Sequence, residues 1–186
     1  PADIFRLHLY REELTRRDGW KEVSVDKMLA AIEAKRSPDA GRLLFGLGIR
    51  HIGAVTAKDL LKGIGDIRAL PEKARELGLW LKNSPRALGE SDGKYTARKV
   101  EAIKRILQVQ TDGIGVAVGE AVADFFHEPH NQMLWDDLLS EVSPPLYVVE
   151  SRDSEVSGMT IVFTGKLETM SRDEAKAQAE SLGAKA

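Results

Sequence analysis

What constrains the fold most is a short unit that recurs three times along the chain. Gly19-Trp20-Lys21, His51-Ile52-Gly53 and Gly113-Ile114-Gly115 align as triplets, and the agreement runs on beyond them. Six positions past the first residue of each triplet stand Val25, Ala57 and Gly119; nine past stand Met28, Leu60 and Val122; thirteen past stand Ile32, Ile64 and Phe126. Each copy therefore reads as one supersecondary unit whose neighbours stack to share a core.

The spacing has a physical reading. A central apolar residue plugs the gap between two helices, glycine permits a tight bend, and a small residue on the following helix lets the pair approach closely. This is the helix-hairpin-helix pattern. The third copy has the full glycine-apolar-glycine form; the second has His51 in the first place, and the first has Lys21 in the last. A triplet alone is weak evidence, since a helix cap and a turn can look the same. Gly63-Ile64-Gly65 shows this: counting on from Gly63 brings Glu72 and Glu76 to the buried places, with Pro71 interrupting, so it is read as the end of the preceding helix.

The predicted fold class is mainly α, a tandem helix-hairpin-helix domain over 1–142. Apolar residues at helical spacing mark helices around Met28-Leu29, Leu43-Leu44-Phe45, Leu60-Leu61 and Val100 to Leu107, then from Gly115 to His127 and from His130 to Glu141 after Pro129. Residues 143–157 mix prolines, serines and acids and are read as a linker that could pack as an extended strap. The period then changes: Met159 to Phe163 reads as a buried strand, Thr164-Gly165 as a turn, and Ser171 as a helix N-cap with Glu174 at capping-box spacing. The helix from Arg172 is expected to stop at Gly183, giving an incomplete second domain over 158–186.

Hairpins of this kind aim main-chain N–H groups and a helix N-terminus at a phosphate oxygen, which predicts DNA binding without base readout. The net charge of -2 excludes a uniformly basic binder, so the distribution matters. Between Gly41 and Gly63, Arg42, Arg50, Lys58 and Lys62 face only Asp59, and Lys94, Arg98, Lys99, Lys104 and Arg105 face only Glu101; both stretches could meet phosphates. The acidic run from Asp124 to Glu155, relieved only by Arg152, should point away. The chain holds no cysteine, which removes disulfides and thiolate zinc sites and suits the cytoplasm. No apolar run approaches the ~20 residues of a membrane span, and Pro1-Ala2-Asp3 opens no signal peptide and is read as the start of a piece of a longer protein. His127, Glu128 and His130 lack a third ligand and are read as helix-end residues, so no metal is expected.

Asp3-Ile4-Phe5-Arg6-Leu7, Leu29-Ala30-Ala31-Ile32-Glu33 and above all Arg42 to Gly53 with Thr56-Ala57 closely resemble the helix-hairpin-helix region of bacterial NAD-dependent DNA ligases. Asp112 to Gly115, Phe125-Phe126 and Glu128 to Asn131 continue the resemblance in order, and 158–183 is similar to the first strand and helix of the ligase BRCT domain. The stretch from about Trp80 to Gln110 is longer than the usual connection and is read as an inserted loop and helix.

The resemblance implies a parent that seals nicks in replication and repair by adenylating a lysine with NAD, passing AMP to a 5' phosphate and joining it to a 3' hydroxyl using magnesium, and a four-cysteine zinc module outside this chain. The nucleophile of that family sits in Lys-x-Asp-Gly; here the nearest phrase, Glu90-Ser91-Asp92-Gly93, has a carboxylate in the lysine's place, so the chain alone is expected to be non-catalytic. Thr164, Gly165 and Arg172 match a phosphate-holding corner of BRCT domains, a role not expected with so little of that domain present. The expected partners are double-stranded DNA, nicked, and the rest of the ligase chain. The expected contacts are Gly19 and Lys21 in the first hairpin; Gly48, Ile49, Arg50, His51, Ile52 and Gly53 in the second; and Gly113, Ile114, Gly115 and Val116 in the third. Arg50 could instead serve a surface ion pair, and Trp20 is read as a staple of its hairpin. Two other readings fit the residues: a repair or recombination protein outside the ligases, and a protein–protein adaptor.

Overall fold

A computed structural model describes residues 1–148, 154–164 and 172–184. The chain forms two compact units, Pro1–Tyr147 and Val148–Ala186. The first opens with a 3₁₀ segment, Ala2–Tyr10, followed by α1 (Arg11–Thr15), α2 (Glu22–Glu33), α3 (Ala40–Gly46) and α4 (Ala54–Ile64). A short 3₁₀ turn at Ile67–Ala69 leads into α5 (Leu70–Asn83), α6 (Asp92–Ile106), α7 (Val116–His127) and α8 (Pro129–Glu141).

Local chemistry sets several of these boundaries. Asp39 caps α3 by accepting from the Arg42 N–H at 2.8 Å, and Ser91 caps α6 by accepting from that of Lys94. Prolines 71 and 129 sit in the first turns of α5 and α8, where a missing N–H costs nothing. Gly65, at φ 74°, ends α4, its N–H reaching the Leu61 carbonyl at 2.8 Å. The Gly63-Ile64-Gly65 triplet is thus a helix end, as expected. Gly63 itself is needed for a close approach. A Cβ there would lie 2.2 Å from the Gln108 carbonyl oxygen, so its absence lets α4 meet the chain leaving α6.

One apolar core joins α3 to α8. Leu44, Ile52, Leu60 and Leu61 meet Leu70 and Leu77 of α5, Ile103 of α6, Val122 and Phe126 of α7, and Trp135 of α8. Each fully buried aliphatic chain contributes roughly 1.5–3 kcal/mol. Phe126 packs edge-on to Trp135 at 5.2 Å. The segment expected as an insertion supplies α6, whose Ala102, Ile103 and Ile106 are buried, so it serves as the first helix of the third hairpin. Residues 143–147 lie as an extended strap on this unit: Pro144 is fully buried, and Tyr147 donates its N–H to the Gly65 carbonyl.

The first hairpin, α1 with α2, is attached differently. Val25 is its one fully buried apolar side chain. The 3₁₀ segment packs between α2 and α8, and there Arg6 reaches Asp137 and Glu141 while Arg36 reaches Glu33, Glu141 and the Phe5 carbonyl. Hydrogen bonds from Arg36 and then Arg6 hold the Glu141 carboxyl below its usual value, and Arg6 does the same for Asp137.

In the second unit α9 runs Arg172–Ser181 and is followed by Gly183 at φ 82°. The strand expected at Met159 to Phe163 is not formed. Thr160 makes only an isolated bridge, and Met159 and Val162 are 57% and 76% exposed. A buried strand needs paired neighbours and cover on its faces, and among the described residues of this unit α9 is the only regular element. Gly165 and Ser171, with the predicted turn and N-cap, lie outside the described residues.

Candidate nucleic-acid interface

The three triplets occupy equivalent places in three hairpins. Their last residues, Lys21, Gly53 and Gly115, are the N-caps of α2, α4 and α7, all with extended backbone: φ is -113°, -85° and -99° in turn. Each carbonyl accepts the first helical hydrogen bond, from Val25, Ala57 and Gly119. Those are the small or branched residues found six positions on in the repeat, and all three are buried. At Gly119 the reason is closest packing: a Cβ there would fall 2.6 Å from the Ile103 Cδ1 across the hairpin.

The central residues diverge. Ile52 and Ile114 are plugs, 5% and 0% exposed, while Trp20 is 39% exposed and closes its hairpin only in part. The first residues diverge as well. Trp20 N–H returns to the Arg17 carbonyl and Ile52 N–H to the Ile49 carbonyl, making two turns with Gly19 (φ 82°) and His51 (φ 65°) at the left-handed third place. In the third hairpin Gly113 is not left-handed; its N–H bonds the Thr111 hydroxyl at 3.2 Å.

None of α2, α4 and α7 has a side-chain cap. The first-turn N–H groups of an α-helix have no partner within the helix, and together with the macrodipole they favour an anion. Nothing lies within 4 Å of the place a Cβ would take at Gly53 or Gly115. Their backbone angles suit any residue, and Lys21 stands at the same place in the first hairpin. The fold itself therefore does not demand glycine at either cap.

The structure sorts the expected contact residues. Gly19, Lys21, Gly48, Arg50, His51, Gly53 and Gly113 lie exposed at the hairpins, with Gly115 and Val116 half-buried beside them. Ile49, Ile52 and Ile114 are buried, so they shape the bends from inside and their side chains cannot touch a ligand. Arg50 has no ion pair among the described residues, against the surface-salt-bridge reading. Residues Lys94 to Arg105 behave otherwise than expected: Arg98 is tied to Glu90 and lies over the rings of Trp80 and Tyr95, Lys99 pairs with Glu120 and Lys104 with Asp112. Most of that charge is spent within the molecule. Sequence distance hid these pairs, although the i to i+8 spacing of Glu90 and Arg98 across a capped helix start was open to view.

Glu90 is held down to about 2 by the Arg98 hydrogen bonds and the Ala87 N–H, and Ser91 beside it is a helix cap. Glu90-Ser91-Asp92-Gly93 is therefore a structural corner, and with no cysteine in the chain these residues fit neither an adenylation site nor a four-cysteine zinc module. Among the described residues no group of three His, Asp or Glu could hold a metal ion, and no helix is long and apolar enough to cross a membrane.

Comparison with known proteins follows the same outline. A family model described as a helix-hairpin-helix motif matches residues 42–77, from α3 through the second hairpin into α5. A DNA ligase of Sphingopyxis alaskensis is 76% identical over 186 residues, and one of Novosphingobium aromaticivorans is 57% identical over 199 aligned positions. A third, from Zymomonas mobilis, is 43% identical over 189. All of this chain is covered each time. The chain belongs to the bacterial DNA ligases. It spans about a quarter of the length of these ligases, 25–27%. Membership sets aside the reading as a repair protein outside the ligases.

Proposed function

We propose that this ligase region grips double-stranded DNA by its sugar-phosphate backbone, without reading sequence, through the hairpins at 16–21, 47–53 and 107–115. The observation that carries the reading is the repeated open helix start. At Lys21, Gly53 and Gly115 three long helices begin uncapped, and two of the three caps are glycines that neither backbone angle nor crowding requires. A phosphate oxygen approaching the first-turn N–H groups needs that space. Arg50 and Lys21 add charge beside it, the first by a charge-assisted hydrogen bond.

In the parent the grip would hold a nicked duplex for sealing in replication and repair, in the cytoplasm. The NAD, magnesium and zinc used by such ligases would belong to parts of the parent outside this chain. Residues 158–186 would open a BRCT domain whose remaining strands cover Met159 and Val162.

The test is fluorescence anisotropy with a labelled nicked duplex. Gly53→Leu and Gly115→Leu are expected to weaken binding by about tenfold or more each, the equivalent of one lost charged hydrogen bond, with unfolding midpoints near that of the parent chain. With two cations at the interface, binding should also fall about tenfold between 50 and 200 mM salt. Leucine variants that bind as the parent chain does would reject the reading.

A further inference from the structure

Gly63 is a poor helix former inside a helix, α4, and its backbone is not left-handed, so neither the helix nor the angle asks for glycine. A meeting with the third hairpin does. A Cβ on Gly63 would lie 2.2 Å from the Gln108 carbonyl oxygen, 2.7 Å from its carbonyl carbon and 3.1 Å from the Leu107 carbonyl oxygen. All three are main-chain atoms, so no side-chain rotation could make room.

The chain on the far side is as fixed as the helix. Leu107 and Val109 are 0% and 4% exposed, and between them Gln108 is left-handed at φ 57°. The Val109 N–H returns to the Lys104 carbonyl at 2.9 Å, closing the end of α6, and Lys73 of α5 donates to the Ile106 carbonyl at 3.3 Å. The same loop meets α4 again one turn earlier: the place of a Cβ at Gly113 is 3.7 Å from the Asp59 carboxylate. Residues 59 and 63 share one face of the helix. The loop of the third hairpin is thus seated along the helix that the second hairpin begins. That helix carries the open start at Gly53, and the seated loop runs directly into the open start at Gly115.

We infer that Gly63 is a positioning residue that fixes the offset between the starts of α4 and α7, making the second and third hairpins one preset two-point clamp. The inference rests on the proposed DNA grip and says how two of its contacts act together; Gly63 acts through the seated loop, not by contact with DNA. Two linked contacts reinforce each other only when their spacing matches the ligand. A Cβ at Gly63 would push the loop away by about 1 Å or more to reach van der Waals distance. An N–H···O bond tolerates only about 0.5 Å of variation. Either start can then take its phosphate, but not both at once.

The test is a double-mutant cycle read by anisotropy on nicked duplex. Gly63→Ala is expected to weaken binding about fivefold in the parent chain and less than about twofold in a Gly115→Leu chain, where the second contact is already lost. A residue that merely holds the fold would weaken both alike. Residual dipolar couplings of the parent chain, with and without duplex, decide the matter even where Gly63→Ala does not fold: the first-turn N–H vectors of α4 and α7 should keep one relative orientation. Equal losses in the two chains, no loss in either, or helix starts that turn relative to one another on binding overturn the inference and leave the hairpin grip standing. If Gly53→Leu and Gly115→Leu bind as the parent chain does, the grip itself fails, and the clamp with it.

Discussion

The first hairpin and the third are copies of one unit fastened by different forces. In the third, Ile114 is sealed between α6 and α7, Gly119 lets those helices touch, and Val122 and Phe126 continue into the shared core. In the first, Trp20 is partly open, Met28 and Ile32 are half-buried, and the attachment to α8 runs through Arg6, Arg36, Asp137 and Glu141. Apolar burial depends little on moderate salt or on pH. Ion pairs at a partly wet surface are weakened by both. A tandem repeat thus need not be uniformly stiff, and the copy held by charges should open first.

The sharpest way to break the comparison is to attack the two plugs equally. Ile114→Ala should cost about 2–5 kcal/mol of global stability, as for a buried Ile elsewhere, measured by urea unfolding. Trp20→Ala, at a site with little to collapse, should cost about 1 kcal/mol or less. Equal losses would mean the first hairpin is as much a part of the core as the third. Gly119→Val should approach the Ile114 effect from the opposite side, costing about 1–3 kcal/mol by overpacking against Ile103.

Which of these differences could be read beforehand depends on how far apart the partners lie in sequence. The repeat exposed the plugs and the six-residue spacing to Val25, Ala57 and Gly119, because both follow from helical period within some twenty residues. It also marked Gly63-Ile64-Gly65 as a helix end. It could not reveal that Gly63 is needed for contact with Gln108, a meeting of two segments more than forty positions apart. The ion pairs of Arg6 and Arg36 with Glu141 span still more chain, so nothing local in the acidic run marked Asp137 and Glu141 as anchors of the first hairpin. Likewise the cations on α6 looked free only because Glu120 and Asp112 lie beyond it. The hydrophobic run at 159–163 has strand composition, but a strand is a property of its neighbours as well.

Removing one carboxylate sharpens the comparison without touching the core. Glu141 accepts from both Arg6 and Arg36, so Glu141→Gln leaves two guanidinium groups short of their partner. Amide exchange should quicken across residues 11–33 and stay unchanged in α5 and α7, with the urea midpoint barely moved. Exchange that quickens everywhere would show the latch to be part of the global fold.

The smallest effect expected is that of mild acid, and its sign follows from the depressed carboxylates. Glu141 and Asp137 titrate below their ordinary values of 4.5 and 3.8 because the arginines bond the charged forms. A depressed carboxylate contributes stability that is fully present above its unfolded value and is lost as pH falls through the folded one. The attachment of the first hairpin should therefore be complete above about pH 5 and weaken below about pH 4. The Glu90 corner at the start of α6, held down to about 2, should outlast it. Nitrogen-proton spectra collected from pH 6 downward would report both in one series: resonances of α2 should move before those of residues 86–92. Were the order reversed, the arginine cluster would not be what fastens the first hairpin, and the half-open Trp20 with the buried Val25 would have to suffice.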